Sequence, residues 1–107
     1  LVVTQQLLQY KLSGLDCLVP DDLIEEHKKG TFPTRKFTEE EFEEVTDLLA
    51  GLPDTLEEDF NEGIFQNYKA YETSTGFVLD TFETAVNFNN YHEGIHLGII
   101  LAIKKLV

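Results

Sequence analysis

The stretch DTFETAVNFNNYHEGIHLGIILAIKKLV, Asp80 to Val107, decides how the rest of the chain is read. Taking every third or fourth residue picks out Ala85, Asn89, His92, His96, Ile99, Ile103 and Leu106. That alternation of four and three is the seam of a helix packed in a bundle. Asp80 stands as an N-cap with Glu83 three positions on, so the spacing predicts a helix of about 27 residues, about 40 Å long. Lys104 and Lys105 suit the negative end of its dipole. Ile and Leu fill the lower half of the seam. Its upper half carries Asn89, His92 and His96, where a helix that only packs would carry Leu, Ile or Val, and an unpaired polar group there costs about 1 to 3 kcal/mol.

Two imidazoles at i and i+4 lie one turn apart on one helix face, where two ring nitrogens reach one metal at about 2.1 Å each. The same five residues, His92-Glu93-Gly94-Ile95-His96, also spell the HExxH of zinc proteases, with Glu93 as general base. A protease needs a third ligand from further on, and LGIILAIKKLV after His96 contains no His, Asp or Glu. No sheet-forming stretch is available to bind a peptide strand, so the zinc protease stands as the remote alternative. Glu93 lies beside the seam, either in solvent or supporting a ligand histidine. Asn89, one turn before His92, either orients a ligand or substrate or is a polar residue at the open end of the bundle. His27, in LIEEHKKG, is a lesser candidate for a ligand, the plainer reading being an exposed surface residue.

Working outward, Leu1 to Ser13 carries Val3, Leu7 and Tyr10 at helical spacing, with Leu1, Leu8 and Leu12 alongside, and Gly14 is placed to end the helix. Asp21 to Lys29 follows Pro20 and opens with two acids, a short helix closed by Gly30. Thr31 to Phe37 is loop. The distance from Gly14 to Phe37 suits a crossover connection over one end of a bundle. Thr38 with Glu41 forms a capping box for a helix whose stripe is Phe42, Val45, Leu48, Leu49 and Leu52, continued by Leu56 and Phe60. The stripe keeps its phase across Pro53, which predicts one kinked helix. Its carboxylates, among them Glu39, Glu40, Glu43, Glu44, Glu57, Glu58 and Asp59, form a solvated face. Glu62 to Leu79 reads as a long loop, with Phe65, Tyr68, Tyr71 and Phe77 packing over the mouth of the bundle.

At 107 residues the chain, 1-107, is a single domain with one core. Its formal charge of -12, from 20 acidic against 8 basic residues, repels phosphate backbones and anionic lipid, so neither nucleic acid nor membrane is an expected partner. Cys17 is alone and forms no intramolecular disulfide, which fits a reducing, cytoplasmic compartment. The chain has no Met and begins at Leu1, so residues upstream are expected to have been lost or left out.

The run Phe88-Asn89-Asn90-Tyr91-His92-Glu93-Gly94-Ile95-His96-Leu97-Gly98 resembles the last helix of the DinB/YfiT superfamily, which carries HxxxHxG there. The opening VTQQLLQYKLSG and the loop YETSTGF resemble the DinB-like group as well. The resemblance implies an all-α four-helix bundle with a long crossover between its second and third helices, the first helix being missing or truncated in this chain. It implies a divalent metal, zinc or nickel, held by three histidines, two of which map onto His92 and His96. The third falls at or just before Leu1 in the family pattern. Relatives include thiol-dependent enzymes, namely bacillithiol transferases and mycothiol-dependent isomerases. Ile99 departs from the pattern, which often has Gln after the motif's glycine.

Two functional expectations follow. One is a metal-dependent enzyme acting on a thiol or other small molecule, transferase-like or hydrolase-like, with the metal activating a thiol or water. The other is a non-catalytic bundle acting as a dimerisation or binding module. A homodimer is expected in its own right, since a half-exposed core favours pairing with another chain.

Overall fold

A computed structural model describes residues 1–107. The helices are α1 (Val2–Gln9), α2 (Asp21–His27), α3 (Glu39–Asn61) and α4 (Phe82–Lys104), with a two-stranded antiparallel hairpin, β1 (Tyr71–Glu72) and β2 (Val78–Leu79), between α3 and α4. The fold is all-α, a bundle with its crossover, including α2, between α1 and α3. No helix is long and apolar enough to cross a membrane.

The short α1 is the centre of the packing. Its Val2 end joins Val19 and Leu52, flanked by Cys17, Leu23, Ile24, Val45 and Leu48, so it packs against the crossover and α3. Its Leu8 end joins Leu79 and Ala85, flanked by Leu12, Tyr68 and Phe88, so there it packs against β2 and α4. Tyr10, 1% exposed, donates to Asp59 Oδ2 at 2.5 Å and meets Phe65 edge-on, and Phe65 and Phe60 both stack on Phe82. These contacts set α1 parallel to α3 and antiparallel to α4. A 3-10 turn, Lys11–Ser13, follows α1, and Gly14 at φ 77° reverses the chain, a conformation that costs a residue with Cβ.

Several sequence expectations change. The cap of α4 is Thr81, one residue later than Asp80: Thr81 and Thr84 form a reciprocal capping box, while Glu83 sits in the first turn. Thr38 does cap α3 by accepting from Glu41 N, but the Glu41 carboxylate turns to Arg35 at 2.8 Å, so the box is half made. As the phase of the stripe implies, α3 is one helix across Pro53, whose missing N–H falls on an exposed position. The stretch Glu62 to Leu79 is not all loop, since it holds the hairpin, closed by Gly76 at φ 88° and by Thr73 Oγ1, which accepts from Phe77 N. Phe65 and Tyr68 do cover the core, Tyr68 donating to Leu8 O at 3.0 Å, whereas Tyr71 and Phe77 are exposed.

The stripes are also less covered than their periodicity implies. On α3, Leu52 is buried and Val45 and Leu48 half-buried, but Phe42, Leu49 and Phe60 are exposed. On α4 the seam is buried only at Ala85 and Asn89; Ile99, Ile103 and Leu106, past the Leu1 end of α1, are exposed.

Candidate metal centre

The histidine pair lies where α4 passes the Leu1 end of α1. Leu1, Val2 and Gln5 share a small cavity of about 20 Å³ with Glu93 and with Leu48, Leu49, Leu52 and Pro53 of α3. Here the polar half of the α4 seam meets an unexpectedly polar α1. Gln5, Gln6 and Gln9 are all buried, Gln6 completely. Gln6 Nε2 donates to Gln5 Oε1 at 2.7 Å, Gln5 Nε2 donates to Gln9 Oε1 at 2.8 Å, and Gln6 Oε1 accepts from Leu18 N at 2.6 Å. The chain of amides satisfies itself, which is what permits three glutamines in the core of so small a bundle. Apolar spacing does not reveal them; the run Gln5-Gln6 with Gln9 one turn on is the signal that the sequence carries.

His92 and His96 are half-buried, and their Nε2 atoms stand 3.2 Å apart, with ring planes at 70°. Phe88 stacks along His92 at 6.4 Å between centroids, and Phe77 and Tyr91 extend an aromatic wall beside it. Burial above all, with His96 adding to it and Glu93 opposing, holds the His92 pKa below the usual imidazole value. The ring is therefore neutral at pH 7, the form that offers a lone pair. Its Nδ1 is buried without a partner.

Asn89, 3% exposed, donates through Nδ2 to Glu93 Oε1 at 3.0 Å, and its Oδ1 is buried without a partner. Glu93 is thus half-buried and tied to Asn89 instead of lying free in solvent. His27 lies apart from this site on α2, its Nδ1 2.9 Å from Leu23 O and its ring against Phe37. Of the sequence candidates, the structure brings together His92, His96, Asn89 and Glu93, and leaves His27 outside.

The donor set can be tested against a metal. Two ligand atoms each about 2.1 Å from one ion are about 3.0 Å apart at the corners of an octahedron and about 3.4 Å apart in a tetrahedron. The 3.2 Å between the Nε2 atoms falls between these, so the pair fits two places of one coordination sphere. The same distance suits an N–H···N hydrogen bond when one ring carries its proton on Nε2. No group of three or more His, Cys, Asp or Glu side chains converges anywhere in residues 1–107.

The class defined so far is an all-α bundle with a histidine pair facing its core at the end of α1. The chain belongs to the DinB superfamily, whose family model matches residues 1–100. No curated protein and no solved structure matches it.

Proposed function

We propose that the protein binds a divalent metal, zinc or nickel, through Nε2 of His92 and His96, and that it is a metal-dependent enzyme acting on a thiol or another small molecule by transfer or hydrolysis. The observation that carries this reading is the 3.2 Å approach of two imidazole nitrogens on a seam that packing alone would fill with Leu or Ile. A divalent ion bound there supplies Lewis acidity, which lowers the pKa of a bound thiol or water. The residues around it have separate tasks. Burial keeps His92 neutral, and Phe88 holds its ring in plane. Asn89 holds the Glu93 carboxylate beside the pair, where its charge offsets added positive charge. Phe77, Phe88 and Tyr91 give a substrate an apolar wall beside His92 and limit water on that side.

Metal analysis after exhaustive dialysis of the protein tests this. Close to one zinc or nickel per chain is expected, lost in His92→Ala; a metal-free protein that takes up none on titration defeats the reading. A second reading rests on the same distance taken as an imidazole hydrogen bond: a non-catalytic bundle serving as a binding module. It expects no metal and an unchanged fold in His92→Ala.

A further inference from the structure

We propose that Asn89 positions His92 for the metal: its Oδ1 accepts from the Nδ1–H of His92 when Nε2 holds the ion. This role rests on metal binding by the histidine pair, and it adds the residue that sets the tautomer and the aim of one ligand. Two buried side-chain atoms in the chain have no partner, Asn89 Oδ1 and His92 Nδ1. The first is an acceptor. The second is a donor in the one neutral tautomer that leaves the Nε2 lone pair free for a metal.

Placement and orientation make the two atoms a pair. Asn89 and His92 stand one turn apart on one face of α4, a spacing that sets Cβ atoms about 5 to 6 Å from each other. Both atoms are buried and Asn89 is 3% exposed, so solvent does not serve as the partner of either. The Asn89 amide has one orientation. Its Nδ2 donates to Glu93 Oε1 at 3.0 Å, and an ionised carboxylate only accepts, so Oδ1 is left as an acceptor on the side away from Glu93. His92 is fixed from its other end, where Nε2 meets His96 at 3.2 Å and leaves Nδ1 as the nitrogen inside the fold. In the metal-free chain the two atoms are not bonded, and the bond closes by turns about χ2, a broad and soft torsion in both Asn and His. Coordination through Nε2 leaves the ring proton on Nδ1, where a hydrogen-bond acceptor orients the ring and makes it a better ligand. One amide then serves two neighbours, Glu93 through Nδ2 and His92 through Oδ1.

Zinc affinity from chelator competition, together with the ring N–H resonances of the zinc-loaded chain, tests this. The wild type is expected to show a downfield Nδ1–H resonance for His92 that exchanges slowly with water. Asn89→Leu puts on the seam a residue that packing alone favours; it should fold, lose the downfield shift and bind zinc about 10 to 100 times more weakly. Asn89→Asp keeps an acceptor and should recover most of that loss. Glu93→Gln keeps an acceptor for Nδ2 and should leave the His92 resonance in place. A His92 that binds zinc through Nδ1, which the wild type alone reveals, overturns the proposal. So does an Asn89→Leu chain of wild-type affinity, or an Asn89→Asp chain as weak as Asn89→Leu; these results leave metal binding by the pair intact. A wild type that takes up no zinc overturns both.

Discussion

Replacing His92 by Leu should stabilise the metal-free protein and remove its response to metal. In the wild type, His92 Nδ1 is buried without a partner, a penalty of about 1 to 3 kcal/mol. Against it stands the Nε2 contact with His96, worth about 0.5 to 1.5 kcal/mol as a hydrogen bond. Leu removes both and keeps an apolar surface against Phe88, and the half-buried His96 remains open to water. The balance favours the variant by about 1 kcal/mol, which for a domain of this size raises Tm by about 4 °C. Zinc at a hundred times its Kd adds about 2.7 kcal/mol to a protein that binds it only when folded, about 10 °C. The melting order should therefore invert: the variant above the wild type in chelator, the wild type above the variant in zinc. Thermal unfolding followed at 222 nm reads both. A variant that melts well below the wild type in chelator, with no shift of either protein in zinc, would show that the histidines serve the fold and refute the reasoning.

Tyr10→Phe removes the 2.5 Å bond to Asp59 that ties α1 to α3; a hydrogen bond to a charged group contributes about 1.5 to 3 kcal/mol, so urea unfolding should show a loss of about 2 kcal/mol, less if water replaces the phenol. Burial pushes the Tyr68 phenol up to about 12, and burial followed by the Asp59 contact raises Tyr10 as well. Because the folded chain holds these protons more tightly than the unfolded one, stability is complete below about pH 10 and declines from there towards pH 12, a decline that Tyr68→Phe should make shallower in denaturant midpoints read against pH. Thr81→Ala dissolves the capping box of α4 and should cost about 1 kcal/mol, seen as a lower urea midpoint with an unchanged slope, whereas Asp80→Ala should cost little.

What was legible in the sequence was whatever local chemistry determines. The helix starts at Thr38 and Asp21 and the histidines sharing one face of α4 follow from spacing and capping rules, whereas α1 stops at Gln9 and Gly14 ends only the 3-10 turn after it. Asp80 and Thr81 both favour the cap of α4, and the choice falls to Thr81 because the Thr84 hydroxyl accepts from Thr81 N. The hairpin is not legible because two-residue strands carry no periodicity. Nor are the buried glutamines, because a polar group is stable in a core only through its partners, and those are set by packing. Periodicity overstated the burial of Ile99, Ile103 and Phe42, since an apolar stripe says which face seeks cover and nothing about what covers it. For the site, the residue types were legible; the 3.2 Å approach, the Asn89 bond to Glu93 and the two unpartnered buried atoms needed coordinates.

The most direct measurement is X-ray absorption at the zinc edge on the zinc-loaded protein and on His96→Ala. The account predicts imidazole scattering from two rings at about 2.0 to 2.1 Å in the wild type, and one ring fewer in the variant. A zinc spectrum without imidazole scattering, or one that His96→Ala leaves unchanged, would contradict it.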